Sequence, residues 1–218
     1  MDESGDMFDA GRALQKIKDP RSEELFSKCV EIFDKNGKYS QAAKTCVAIA
    51  DEGGENALEW YQRAMKYYKS EGSRATAQEL NLKVANMYIK KGELGEAKQI
   101  FDRAGREALD DRLTRGSARK YFFMSLLCYI GMLSPTNVAE GTAALQERFE
   151  EYQELDTQFT GHTREHMLIA QIIAALEESS IDAYSEAMDE YDTICPLDET
   201  KTKLLLRGKQ VLRQSDIR

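Results

Sequence analysis

The residues best suited to chemistry sit together at 162–166, in the run HTREH, which matches the H-x-x-E-H spacing of some zinc peptidases. On a helix, two imidazoles four residues apart share a face and can ligate a metal, with Glu165 near the ion. His162 and His166 are the chain's two histidines, so a catalytic zinc would still need a third ligand. Gly161 precedes the run, and polar residues after a glycine are ordinary caps and solvated groups at a helix start. A zinc hydrolase and a plain helix N-terminus are both open on these residues, with the missing ligand favouring the plain start. The four cysteines, Cys29, Cys46, Cys128 and Cys195, show no paired spacing and read as buried reduced thiols. No phosphate loop, dinucleotide-binding glycine pattern or nucleophile elbow occurs in the sequence. No catalytic, cofactor-binding or metal-binding residue is therefore assigned.

The elements that would position any site are helices. Of the 218 residues, 42% are hydrophobic and only three are proline, as expected of a folded protein. Between sparse glycines and prolines lie stretches with apolar positions at helical spacing, which predict helices over 3–17, 21–36, 38–52, 54–71, 73–91, 93–108, 114–132, 137–154, 162–178, 181–193 and 197–214. Several resemble one another. The runs SEELFSKCVEIF (22–33), ALEWYQRAMKYY (57–68) and AKQIFDRAGREA (97–108) place an aromatic residue and then a small one in matching slots. Ala85, Tyr88, Ala97, Phe101 and Ala104 reproduce the small-and-aromatic spacing of a tetratricopeptide (TPR) hairpin. The expected fold is an all-α, TPR-like right-handed solenoid of helical hairpins over 1–135, ending in a C-terminal helical bundle over 136–218. A six-helix bundle with accidental self-similarity is the alternative.

Such a fold offers a broad surface and no deep pocket, which favours binding over catalysis. Charge is unevenly spread: residues 1–139 balance at +1, residues 140–199 at −14 and residues 200–218 at +5. Two surfaces for two kinds of partner would explain this, and so would an acidic face that keeps the protein soluble. Lys38, Lys44, Lys83, Arg119 and Lys120 fall in successive repeats; a row of cations suits an elongated acidic protein, and scattered solvated lysines are the alternative. A pI near 5 without interleaved aromatic and basic residues argues against nucleic acid. No signal peptide or transmembrane run is present in the sequence, so a soluble cytoplasmic protein is expected. At the other end, Leu204, Leu205, Val211 and Leu212 share one stripe with Gly208, while Ile217 points away from it.

The runs SARKYFFMSLLCYIGM (117–132), TREHMLIAQIIAALEESSIDAYSEAMDEYDTICPLD (163–198) and KLLLRGKQVLRQSDIR (203–218) resemble the soluble NSF attachment proteins, the SNAPs, of alpha/beta type. FDAGRALQKIKDPRSEE (8–24), GKYSQAAK (37–44) and AMKYYKSEG (64–72) continue the likeness in the same order. This resemblance implies a cytosolic adaptor with no chemistry of its own and no cofactor. Several copies of a SNAP wrap a SNARE four-helix bundle, recruit the hexameric ATPase NSF and stimulate its ATP hydrolysis, so that the bundle is pulled apart. It further implies that Lys38, Lys44, Lys83 and Arg119 meet the acidic SNARE surface, with Glu79 standing where the family often has a lysine. Glu177 and Glu178 match acidic residues that meet NSF, whereas Ala174 replaces one. Ile217 stands at the penultimate position, where SNAPs carry a leucine tied to ATPase stimulation. SNAPs begin with further helices and a phenylalanine-bearing membrane loop. This sequence starts inside that pattern and shortens it at IADEGGENALEW (49–60), so only weak, peripheral membrane contact is expected.

Overall fold

The computed structural model describes residues 3–110 and 112–215. Among them all regular structure is helical: α1 (Glu3–Lys16), α2 (Arg21–Lys35), α3 (Tyr39–Asp51), α4 (Ala57–Ser70), α5 (Arg74–Lys91), α6 (Leu94–Asp110), α7 (Ala118–Gly131), α8 (Val138–Leu155), α9 (Arg164–Glu177), α10 (Ile181–Ile194) and α11 (Glu199–Ser215). Each expected helix is present, and the fold is the all-α, TPR-like packing of helical hairpins. Punctuation does what the sequence suggested: Gly72 and Gly92, which bracket α5, take φ values of +79° and +84°, a conformation that costs glycine little.

The boundaries shift by up to four residues, and the start of α7 differs most from expectation. Residues 115–117 form a 3-10 turn and α7 begins only at Ala118. The cause lies in the end of α6, whose last carbonyls lack helical partners. Thr114 Oγ1 donates to the Ala108 carbonyl at 3.1 Å and Arg115 donates twice to that of Leu109, which holds this segment as a turn.

The chain divides into two compact units, Met1–Val84 and Ala85–Arg218, and the division falls within α5. In the first unit α1 packs on α2, α2 on α3 and α3 on α4. The recurrent slots are its core: Phe26 and Cys29 of α2 and Tyr61 and Ala64 of α4 are all buried. Small residues let helix axes approach. Gly11 of α1 lies so close to Phe26 that a β-carbon there would sit 2.6 Å from the ring. Phe26 in turn meets Trp60 edge to face at 6.3 Å, and Trp60 Nε1 donates to Glu23 at 3.1 Å.

In the second unit α7 is the hub, packing on α6, α8, α9 and α11. That role explains why its sequence is apolar all round, with Phe122, Phe123, Leu126, Leu127 and Ile130 buried on different faces. The third copy of the repeat again buries its aromatic and small slots, Phe101 and Ala104. Phe122 stacks on Tyr152 at 4.2 Å and fills the space beside Gly105, where a β-carbon would sit 2.4 Å from its ring. Tyr152, fully buried, donates to Asp102 at 2.8 Å and shares a hydrogen bond with Ser125 at 2.9 Å, so its hydroxyl ties α8 to α6 and α7. On α11, Leu204, Leu205, Gly208, Val211 and Leu212 are buried as their stripe predicts. Tyr184 of α10 donates to the Leu205 carbonyl at 2.8 Å and fills the gap at Gly208.

Candidate functional site

The HTREH run does not assemble a metal site. Thr163 caps α9 through its hydroxyl, so His162 lies outside the helix, and the two imidazoles do not share a helical face. His166 packs its ring on Phe149 at 4.8 Å and shares a hydrogen bond from Nε2 with Gln153 at 2.8 Å; burial holds its pKa below the ordinary value. Glu165 faces Arg119 of α7, with 3.7 Å between oxygen and nitrogen. Among the described residues no group of His, Cys, Asp and Glu could hold a metal. The four cysteines form no disulfide; Cys29, Cys46 and Cys128 are buried and Cys195 is half-exposed. Burial pushes the Cys46 and Cys128 thiols up to about 12, which removes them as nucleophiles.

The four candidate cations differ in how free they are. Lys38, at the N-cap of α3, and Lys44, on α3 itself, are exposed, and among the described residues neither forms an ion pair. Lys83 of α5 is held by Asp51 at the end of α3, 2.5 Å away, and lies over the Tyr61 ring at 5.1 Å. Tyr61 donates its hydroxyl to the same carboxylate. Burial raises the Asp51 carboxyl, but the hydrogen bonds from Lys83 and Tyr61 outweigh it and hold the pKa below the ordinary value. Lys83 is raised, chiefly by its hydrogen bond to Asp51. Arg119 likewise has its carboxylate, Glu165. Lys38, Lys44 and Lys83 belong to the first compact unit and Arg119 to the second. The partners Asp51, Tyr61 and Glu165 lie 22 to 46 positions from the cations they meet, and no local pattern in the sequence marks them.

The acidic candidates occupy a single corner. Glu177 ends α9, Glu178 is its C-cap, and both are exposed. Ser179 then takes the left-handed conformation, with φ of +53°, and Asp182 sits in the first turn of α10. A helix C-terminus carries partial negative charge, so two carboxylates there are disfavoured by a few tenths of a kcal/mol to about 1 kcal/mol each. No basic residue of α9 offsets them in its last turn. Ile217, the remaining candidate, lies outside the described residues.

A TPR-like array of hairpins with two free and two restrained candidate cations and an uncompensated acidic corner has the makings of a protein-binding adaptor. The chain belongs to the soluble NSF attachment protein family, whose model matches residues 1–213. It is accordingly an adaptor and not an enzyme. It is 31% identical over 218 residues to the alpha-soluble NSF attachment protein of Mus musculus, an alignment covering 96% of this chain and 71% of the mouse protein. The beta-soluble NSF attachment protein of Bos taurus is also 31% identical, with 97% of this chain and 70% of that protein covered. The vesicular-fusion protein SEC17 of Komagataella phaffii is 27% identical over 198 residues, 87% of this chain and 64% of its own length.

Proposed function

We propose that this chain serves vesicle fusion as a SNAP-type adaptor: it grips a SNARE four-helix bundle and recruits and stimulates the NSF ATPase that pulls the bundle apart. The observation that carries the reading is the acidic corner. Glu177 and Glu178 stand exposed at a helix end that disfavours them, in a chain matched by the family along nearly its whole length. In this reading residues 1–135 hold the SNAREs through Lys38, Lys44 and Lys83, with Arg119 at the end of that stretch. Residues 136–218 face the ATPase through Glu177, Glu178 and Ile217. The site of action is cytoplasmic and peripheral to membranes. No described helix is long and apolar enough to cross one.

The decisive experiment adds the purified protein to a soluble SNARE complex and NSF and follows both complex capture and ATP hydrolysis. Capture and stimulation are both expected, and Ile217→Ala should abolish stimulation while capture persists. A specific observation favours a second reading, a scaffold that binds without stimulating and so competes with an active SNAP. Lys83 and Arg119 already face carboxylates of this chain, and Glu79 and Ala174 depart from the family's charge pattern. Capture without stimulation by the unmutated protein would select that second reading.

A further inference from the structure

Between the start of α9 and the end of α10 the second unit carries an open groove of about 400 Å³, lined by Met167, Tyr191 and Ile194 with Arg164, Gln171 and Glu190. Met167 and Ile194 are 43% and 52% exposed, and side by side they make an apolar patch. One wall runs on into charge. Along α10, Asp182, Glu186, Glu190 and Ile194 recur at four-residue steps and are all exposed, so a single stripe leads from the apolar groove to carboxylates. Glu190 accepts from Gln171 at 3.0 Å; among the described residues Asp182 and Glu186 form no ion pair.

The same unit carries the complement of this surface. The outer stripe of α11 exposes Lys203, Leu206, Arg207, Gln210 and Arg213, and Leu206 is 48% exposed although its neighbours Leu204 and Leu205 are core residues. Lys203 pairs with Glu199, whereas among the described residues Arg207 and Arg213 have no carboxylate partner. The spacings match. Leu206 to Arg213 spans seven residues, about 10.5 Å of helix, and Ile194 to Glu186 spans eight, about 12 Å. With Leu206 seated between Met167 and Ile194, and α11 running antiparallel to the receiving α10, Gln210 falls beside Glu190 and Arg213 beside Glu186, with Arg207 flanking the seat of Leu206.

We propose that α11 of one copy docks in the α9–α10 groove of a second copy of this chain. The contact is heterologous: each copy offers a groove and a helix, so each can engage two neighbours and association can pass beyond two copies. A contact built on one leucine, one exposed charge pair and one amide–carboxylate pair is small and weakens with salt. It requires neither SNAREs nor NSF and stands or falls separately from the adaptor reading.

Sedimentation velocity of the purified full chain over rising concentration tests this. The unmutated protein should give a series of species that grows with concentration and shrinks with salt. A groove variant, Glu186→Lys with Glu190→Lys, and a helix variant, Arg207→Glu with Arg213→Glu, should each associate at least about tenfold more weakly alone. Mixed one to one, they pair one native groove with one native helix and the lysine groove with the glutamate helix, and should associate again into larger species. Recovery of association in the mixture also shows that both variants are folded. A monomer at every concentration, or variants that associate as the unmutated chain does, overturns the proposal. So does a mixture that stays monomeric while circular dichroism shows native helicity. In a Cys195→Ala background, copies carrying Leu206→Cys and copies carrying Ile194→Cys should form a disulfide-linked dimer on mild oxidation, and its absence likewise overturns the proposal.

Discussion

Lys83 and Glu178 are both exposed charges in candidate partner surfaces, and the molecule treats them in opposite ways. Lys83 is tied to Asp51 and laid over Tyr61, so a partner must displace an internal carboxylate to use its full charge. Glu178 and Glu177 have no such restraint and are placed where the backbone itself repels them. The cationic side thus resembles a latch already half closed, and the acidic side an open socket. Partners of the first should be selected by how well they outcompete a local pair, whereas partners of the second gain from relieving a standing repulsion.

The largest test of this contrast is to reverse the open side. Glu177→Lys with Glu178→Lys should lower NSF stimulation by tenfold or more and leave SNARE capture unchanged. The same pair should raise stability to urea by about 0.5–2 kcal/mol, because lysines suit a helix C-terminus. Lost stability together with lost stimulation would mean that the carboxylates are structural. A smaller effect, of opposite sign, is expected on the restrained side. Asp51→Asn should release Lys83 and tighten SNARE binding about two- to fivefold in a pull-down titration at low salt, equivalent to at most ~1 kcal/mol. Lys83→Ala should correspondingly weaken capture less than Lys44→Ala does. If Lys83→Ala is the more damaging, the Asp51 contact is no restraint.

The smallest effect is on pH dependence. Asp51 has a lowered pKa, so its contribution to stability is present above the ordinary value of 3.8 and is lost as pH falls through the lower folded value. His166 is lowered as well, by burial, so the unfolded chain binds its proton more readily and stability falls as pH drops below the ordinary 6.5. Urea midpoints should therefore fall between pH 7.5 and 5.5 in the unmutated chain. His166→Gln should flatten that limb, and Asp51→Asn should affect only the more acidic one.

Much of this architecture was legible in the sequence because it is locally encoded. Helix stops at Gly72 and Gly92 need only their own backbone, and the buried slots of Phe26, Tyr61 and Phe101 follow from spacing within one helix. The α11 stripe was legible for the same reason. The 3-10 turn at 115–117 was not, since it depends on side chains reaching back to the end of α6. The restraint on Lys83 joins residues 32 positions apart, and that on Arg119 joins residues 46 apart. Periodicity carries no information about such pairs. HTREH shows the reverse failure: a spacing that fits a metal site was overridden by a cap at Thr163 and by Arg119.

The Tyr184 hydroxyl, bonded to the Leu205 carbonyl over the notch at Gly208, also bears on mechanics. In the proposed role the chain stands between a motor and its load and carries force, and a helix held by apolar contacts alone can slide along its own axis at little cost. The buried hydrogen bond forbids that slide, since moving α11 by one residue would strand the hydroxyl at a cost of about 1–3 kcal/mol. A pull on the end of α11 therefore passes into α10 with almost no slack, and Tyr184→Phe would leave the fold standing while loosening that transmission.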